Sequence, residues 1–78
     1  MKVVVTGSSS GMGLFISEMF LSKGHDVFGL DKSNAIIKNP NYHHFVCDVS
    51  KKASLPDIPD VDILINNAGI QNEFFIFR

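Results

Sequence analysis

Glycines and hydroxyl side chains crowd one short stretch of this chain. Residues 6–13 read Thr6-Gly7-Ser8-Ser9-Ser10-Gly11-Met12-Gly13 and stand between a β-branched run and a helical pattern. Glycine at such a place permits a tight turn, close approach of backbone to a pyrophosphate, and close helix–strand packing. The helix start behind it offers unpaired N–H groups and the positive end of a dipole. This is chemistry for holding phosphate rather than for breaking bonds. The spacing, Gly-x-x-x-Gly-x-Gly, differs from the commoner Gly-x-Gly-x-x-Gly dinucleotide fingerprint, and no Gly-Lys-Ser/Thr follows, which excludes a Walker-type loop. A glycine-rich turn can also be purely structural, so its weight depends on what lies downstream.

Downstream stands Asp31, 18 residues past Gly13 and at the end of a second apolar run. A carboxylate there can accept hydrogen bonds from an adenosine ribose, and it would repel a 2′-phosphate. The glycine loop contains no Arg or Lys to compensate, so the pattern favours NAD over NADP, with the adjacent Lys32 acting against that preference. Read alone, Asp31 could be a solvated strand end. His43, His44, Cys47 and Asp48 raise the question of a metal. On a strand His43 and Cys47 share one face and His44 and Asp48 the other. No face gathers the four ligands of a structural zinc site, so no metal is expected and Cys47 reads as a core residue.

These residues need elements to position them. Val3-Val4-Val5 is a continuous β-branched run, the pattern of a strand buried on both faces of a parallel sheet. Met12, Phe15, Ile16, Met19 and Phe20 recur at helical spacing and predict one apolar face packed into the core, with Lys23 and Gly24 closing the helix. Asp26–Asp31 reads as a second strand, His43–Val49 as a third and Val61–Asn66 as a fourth. A short helix from Ser33 through Lys38 is expected before Asn39-Pro40, and about one turn from Lys51 to Leu55 before the prolines at 56 and 59. The alternation predicts an α/β, Rossmann-like open parallel sheet of about four strands in the order 3-2-1-4.

Bulk properties agree with a small globular unit. The chain has 78 residues, 45% hydrophobic and 19% charged, and a net charge of −1 with no block of like charge. A domain of this size buries roughly 60–65% of its unfolded surface. No electrostatic footprint for nucleic acid or anionic lipid is present, and no apolar run approaches the roughly 20 residues of a membrane span. One cysteine excludes a disulfide scaffold and points to the cytoplasm.

The ordered set Thr-Gly-x-x-x-Gly-x-Gly, Asp31, Asp48-Val49 and Asn66-Asn67-Ala68-Gly69 resembles the short-chain dehydrogenase/reductase family over about residues 2–70. Within the family the chain resembles members of the 3-oxoacyl-acyl-carrier-protein reductase type. The resemblance implies that Gly7, Ser8, Ser9, Ser10, Gly11, Met12 and Gly13 hold the pyrophosphate and adenosine ribose of a dinucleotide. It further implies that Asp48 bonds the adenine amino group with help from the Val49 backbone. Asn66, Ala68 and Gly69 would border the cofactor ribose and brace the fourth strand.

The family's Tyr-x-x-x-Lys pair has no counterpart here. The one tyrosine, Tyr42, is followed four residues later by Val46 and precedes the third strand. The resemblance therefore assigns no catalytic residue to the chain. It implies residues 1–70 as an NAD(P)-binding half-domain, followed by an atypical apolar tail at 71–78 that suggests truncation after about Ile70 or Gln71. Three functional readings stay open. The chain is a truncated NAD(P)-dependent oxidoreductase that retains only dinucleotide-binding motifs, its intact relative transferring hydride between NAD(P) and a carbonyl or alcohol, or a nucleotide-binding module that acts alone or with a partner chain, or a remnant without function. The fourth strand, left as an apolar edge, is a candidate surface for self-association.

Overall fold

The structure is a computed structural model that describes residues 1–48, 51 and 55–67. Five elements follow in chain order: β1 (Lys2–Thr6), α1 (Gly11–Ser22), β2 (Asp26–Asp31), β3 (Tyr42–Val46) and β4 (Ile63–Asn66). The strands form one parallel sheet in the order β3-β2-β1-β4, as the alternating pattern predicts. β1 lies between β2 and β4, with Val5 aligned to Gly29 on one side and Ile65 on the other. Val3, Val4 and Val5 are fully buried, which is why that run carries no polar residue.

The two sheet faces carry separate cores. On the α1 side Val3, Val5, Val27 and Leu21 pack with Ile16, Phe20 and Tyr42. On the other side Val4, Leu30 and Cys47 pack beneath Ile58, with Leu55 and Val61 from the segment leading to β4. That proline-containing linker covers the face without a regular helix over its described residues. At its end, Lys2 donates its backbone N–H to Asp62 Oδ2 at 2.8 Å and Asp62 returns its own to the Lys2 carbonyl at 2.9 Å. The reciprocal pair sets the register of β4 on β1.

Helix α1 ends as its sequence predicts. Gly24 sits at φ +84, and the His25 N–H reaches back to the Phe20 carbonyl at 3.2 Å. This six-to-one bond, with the His25 ring tilted against Phe20 at 5.9 Å, is a Schellman closure.

The face of α1 matches expectation only in part: Ile16 and Phe20 pack on the core as predicted, and Met12, Phe15 and Met19 do not. Gly13, Ser17 and Leu21 are the buried positions, whereas Met12, Phe15 and Met19 are 63%, 65% and 37% exposed. The cause is the close seat of Gly13. A Cβ there would run into the Gly7 carbonyl and stand 2.7 Å from Asn67 Nδ2. The narrowest stripe of the helix therefore faces the sheet, and the Met12–Phe15–Met19 stripe turns away. Ser17 tolerates burial by donating to the Gly13 carbonyl at 2.8 Å.

The short helix expected over residues 33–38 does not form; the segment runs as an irregular loop. Its leading backbone groups are already engaged. The Ser33 N–H is held by Asp31, the Ser33 carbonyl by His44 and the Asn34 carbonyl by Ser9. β3 ends at Val46 rather than Val49, and β4 begins at Ile63 rather than Val61. Val49, Ala68, Gly69 and the tail at 71–78 lie outside the described residues. So do the boundary at residue 70 and the core of the turn expected over 51–55.

Candidate functional site

The C-terminal ends of β1, β2 and β4 converge on the glycine-rich loop. β1 gives out at Thr6, whose hydroxyl donates to Asn66 Oδ1 at 3.1 Å across the sheet. Gly7 then donates its N–H to the Leu30 carbonyl at 2.7 Å, and Asn67 Nδ2 bonds the Gly7 carbonyl at 3.4 Å. The turn is thus fastened to β2 on one flank and to the residue after β4 on the other.

The three loop serines divide their work. Ser8 and Ser9 are buried, and only Ser10 is exposed. Ser9 Oγ donates to the Asn34 carbonyl at 3.0 Å. Ser10 occupies the N-cap of α1 in extended backbone, yet its side chain makes no cap bond, and the first turn holds no acidic residue. Gly11 follows at φ +54, and beyond its chain neighbours and the helix's own backbone nothing lies within 4 Å of the place a Cβ would take. An uncapped helix start behind open space suits an anion, which would meet N–H donors and the positive end of the dipole. The residues present therefore fit the pyrophosphate of a dinucleotide.

Asp31 stands beside this loop. Its Oδ2 accepts the Ser9 N–H at 2.9 Å and its Oδ1 the Ser33 N–H at 2.8 Å, while its carbonyl accepts the Cys47 N–H at 2.9 Å. Each carboxylate oxygen retains a second lone pair, so the group can accept further donors from a ribose. Lys32 is turned toward Asp48, Nζ to Oδ2 3.8 Å, with its own side chain 71% exposed. The cation next to Asp31 in sequence is thereby associated with the neighbouring strand end.

Two residues outside the sequence-derived set join the loop. The Tyr42 hydroxyl lies 2.8 Å from Ser8 Oγ and 2.7 Å from His44 Nδ1, and His44 Nε2 lies 2.9 Å from the Ser33 carbonyl. Burial, together with the nearby Asp31 charge, pushes the Tyr42 phenol above its ordinary pKa, and the Ser8 hydrogen bond works the other way. Tyr42 remains neutral and able to donate. Its path to Ser8 crosses Gly29, where a Cβ would collide with the Tyr42 hydroxyl and Ser8 Oγ. A lone glycine inside an apolar strand is the one sequence signal that foretells such an approach. His44 is therefore engaged in this chain, and His43 on the opposite face stacks on Phe28 at 4.6 Å. Cys47 is buried, and burial and the flanking Asp48 and Asp31 raise its thiol pKa. Among the described residues no group of three or more His, Cys, Asp or Glu is placed to hold a metal ion.

A parallel sheet in the order 3-2-1-4, with a glycine-rich turn leading from β1 into α1, defines a Rossmann-like α/β fold. The sequence profile of the short chain dehydrogenase family matches residues 1–77. The chain belongs to the short-chain dehydrogenase/reductase family of oxidoreductases. It is 42% identical to the short chain dehydrogenase prhI of Penicillium brasilianum over 90% of its own length and 32% of that protein's. Against the 3-oxoacyl-[acyl-carrier-protein] reductase FabG of Chlamydia pneumoniae it is 34% identical, covering 99% of this chain and 38% of the reductase. The uncharacterized oxidoreductase DltE of Bacillus subtilis matches at 33% over 91% of this chain and 33% of its own. A crystal structure of a short-chain dehydrogenase/reductase from Burkholderia vietnamiensis superposes with a TM-score of 0.61 at 23% identity, over 68% of this chain and 26% of that one, and supports the fold. The chain spans about a third of the length of the curated relatives it matches.

Proposed function

We propose that the chain binds a nicotinamide dinucleotide through its adenosine and pyrophosphate half, and that it prefers NAD to NADP. The observation that carries this reading is Asp31, a carboxylate fixed at the end of β2 by the Ser9 and Ser33 N–H groups, beside the open start of α1. Gly11, Met12 and Gly13 would offer backbone N–H groups to the pyrophosphate, with Ser10 the exposed hydroxyl of the loop. Gly7, Ser8 and Ser9 hold the loop's shape from beneath. Asp48 would take the adenine amino group, flanked by Val49, and Asn66 with Ala68 and Gly69 would border the ribose on the β4 side.

A bound nicotinamide would supply or accept a hydride, and the family reading extends this to a carbonyl or alcohol substrate. The 78 residues contain no Tyr-x-x-x-Lys to move the accompanying proton. The role assigned to these residues is to bind the cofactor. The single buried thiol fits a reducing, cytoplasmic setting, and no helix among the described residues is long and apolar enough to cross a membrane.

Calorimetric titration of the chain with NAD and NADP tests the reading. NAD should bind more tightly, and Asp31→Ala should shrink the preference by about tenfold, on the order of one hydrogen bond to a charged group. An unchanged ratio would remove Asp31 from the ribose site.

A further inference from the structure

The bonds around Asp31 close into a ring. From Ser8 Oγ the path runs to the Tyr42 hydroxyl, to His44 Nδ1, through the imidazole to Nε2, and on to the Ser33 carbonyl. The Ser33 N–H then meets Asp31 Oδ1, and Asp31 Oδ2 meets the Ser9 N–H, one residue from the start. Glycine loop, β2 end and β3 are thus joined in one circuit.

The circuit has a direction. A carbonyl can only accept, so Nε2 of His44 carries the proton and donates to Ser33. In the neutral imidazole Nδ1 is then the acceptor. Tyr42 donates to it, and Ser8 donates to the Tyr42 oxygen. Every hydroxyl proton has an acceptor, in keeping with the full burial of Ser8.

We propose that Tyr42 and His44 are positioning residues for Asp31 and determine how sharply the site separates NAD from NADP. The role rests on the cofactor reading above. Ser33 links the two, because it grips Asp31 through its N–H while His44 grips its carbonyl. The loop after β2 forms no helix that would hold Ser33 otherwise. With His44 in place, Asp31 is pinned at both oxygens and cannot swing from an arriving 2′-phosphate. Without it Ser33 is released, and the carboxylate can pivot to admit the extra charge. The Gly29 gap exists for the same circuit, since any side chain there would block Tyr42 from Ser8.

The test compares NAD and NADP affinities by titration for the unmodified chain, Asp31→Ala, Tyr42→Phe, His44→Ala and His44→Gln. Glutamine offers one acceptor and one donor and can bridge as the imidazole does. Tyr42→Phe and His44→Ala should lower the NAD preference by roughly two- to tenfold, the reach of one neutral hydrogen bond, and His44→Gln should recover part of it. If both affinities fall together at a constant ratio, the residues only support the fold and the proposal is overturned, while the effect of Asp31→Ala keeps the cofactor reading intact. If the unmodified chain binds neither dinucleotide, or Asp31→Ala leaves the ratio unchanged, the cofactor reading fails and the positioning role with it. Nitrogen NMR of the unmodified chain gives a check that needs no ligand. His44 should show the Nε2–H tautomer when neutral, and the Nδ1–H tautomer would break the circuit.

Discussion

At Gly29 a single methyl group decides whether the loop and β3 can meet. An alanine Cβ would overlap the Tyr42 hydroxyl and Ser8 Oγ and stand 2.6 Å from the Tyr42 ring carbon that bears the hydroxyl. The obstructing atoms belong to a buried serine and a ring packed in the core, so neither moves freely. Gly29→Ala should cost about 1–3 kcal/mol, as overpacking of a tight interior does. In a domain of this size each kcal/mol lowers the melting temperature by roughly 4–8 °C. Thermal unfolding followed by circular dichroism checks this, and an unshifted midpoint would mean that Tyr42 does not cross β2. The contrast with Asp31 is instructive. A charged residue after an apolar run could be read from the sequence as a ligand group, because its chemistry is local. Tyr42 could be excluded as a catalytic tyrosine by its place and by Val46, but its partner Ser8 stands 34 residues away and across a strand. No spacing rule brings Ser8 and Tyr42 together.

Among the elements, the strands were legible and the helix only in part. β1, β2 and the 3-2-1-4 order follow from β-branched runs and alternation, since a strand covered on both faces leaves a continuous apolar signature. For α1, length and C-terminal closure were also legible, but its orientation only in part, since Ile16 and Phe20 of the predicted face reach the core and Met12, Phe15 and Met19 do not. Periodicity identifies the most apolar stripe, whereas the sheet selects the narrowest one, Gly13–Ser17–Leu21, because the glycine loop pulls the first turn against Gly7. Truncating the exposed Phe15 to serine should change stability by no more than about 0.5 kcal/mol. Leu21→Ala should cost about 2–5 kcal/mol. Denaturant unfolding of the two variants separates the assignments, and a larger loss at Phe15 would restore the apolar-stripe orientation. The missing helix over residues 33–38 has a comparable origin. Local propensity allowed it, and long-range bonds from Asp31, His44 and Ser9 claimed its first backbone groups.

The whole molecule presents a sheet with two flanks among the described residues, β3 and β4. β4 pairs with β1 alone there and carries Ile63, Leu64 and Ile65, all partly exposed. An unpaired apolar strand is a template for another chain. We propose that the 78-residue chain self-associates through β4, and sedimentation over a rising concentration series measures it. A charged replacement such as Leu64→Lys should hold the chain monomeric at concentrations where the parent assembles, and equal assembly by both would place the contact elsewhere. The family and the fold were readable at this scale because an ordered set of short motifs survives in the right strand ends. Substrate chemistry was not, because no motif within the chain marks a substrate pocket.

The loop from Gly7 to Gly13, with Asp31 and Asp48, is proposed to receive an adenine dinucleotide. Amide NMR of the labelled chain titrated with NAD tests it most directly. Binding there should give saturable shifts concentrated at Ser10 to Gly13, Asp31 and Asp48, with the far end of α1 and the β3 entrance unmoved. No shifts at high NAD concentration, or shifts centred away from the loop, would contradict it.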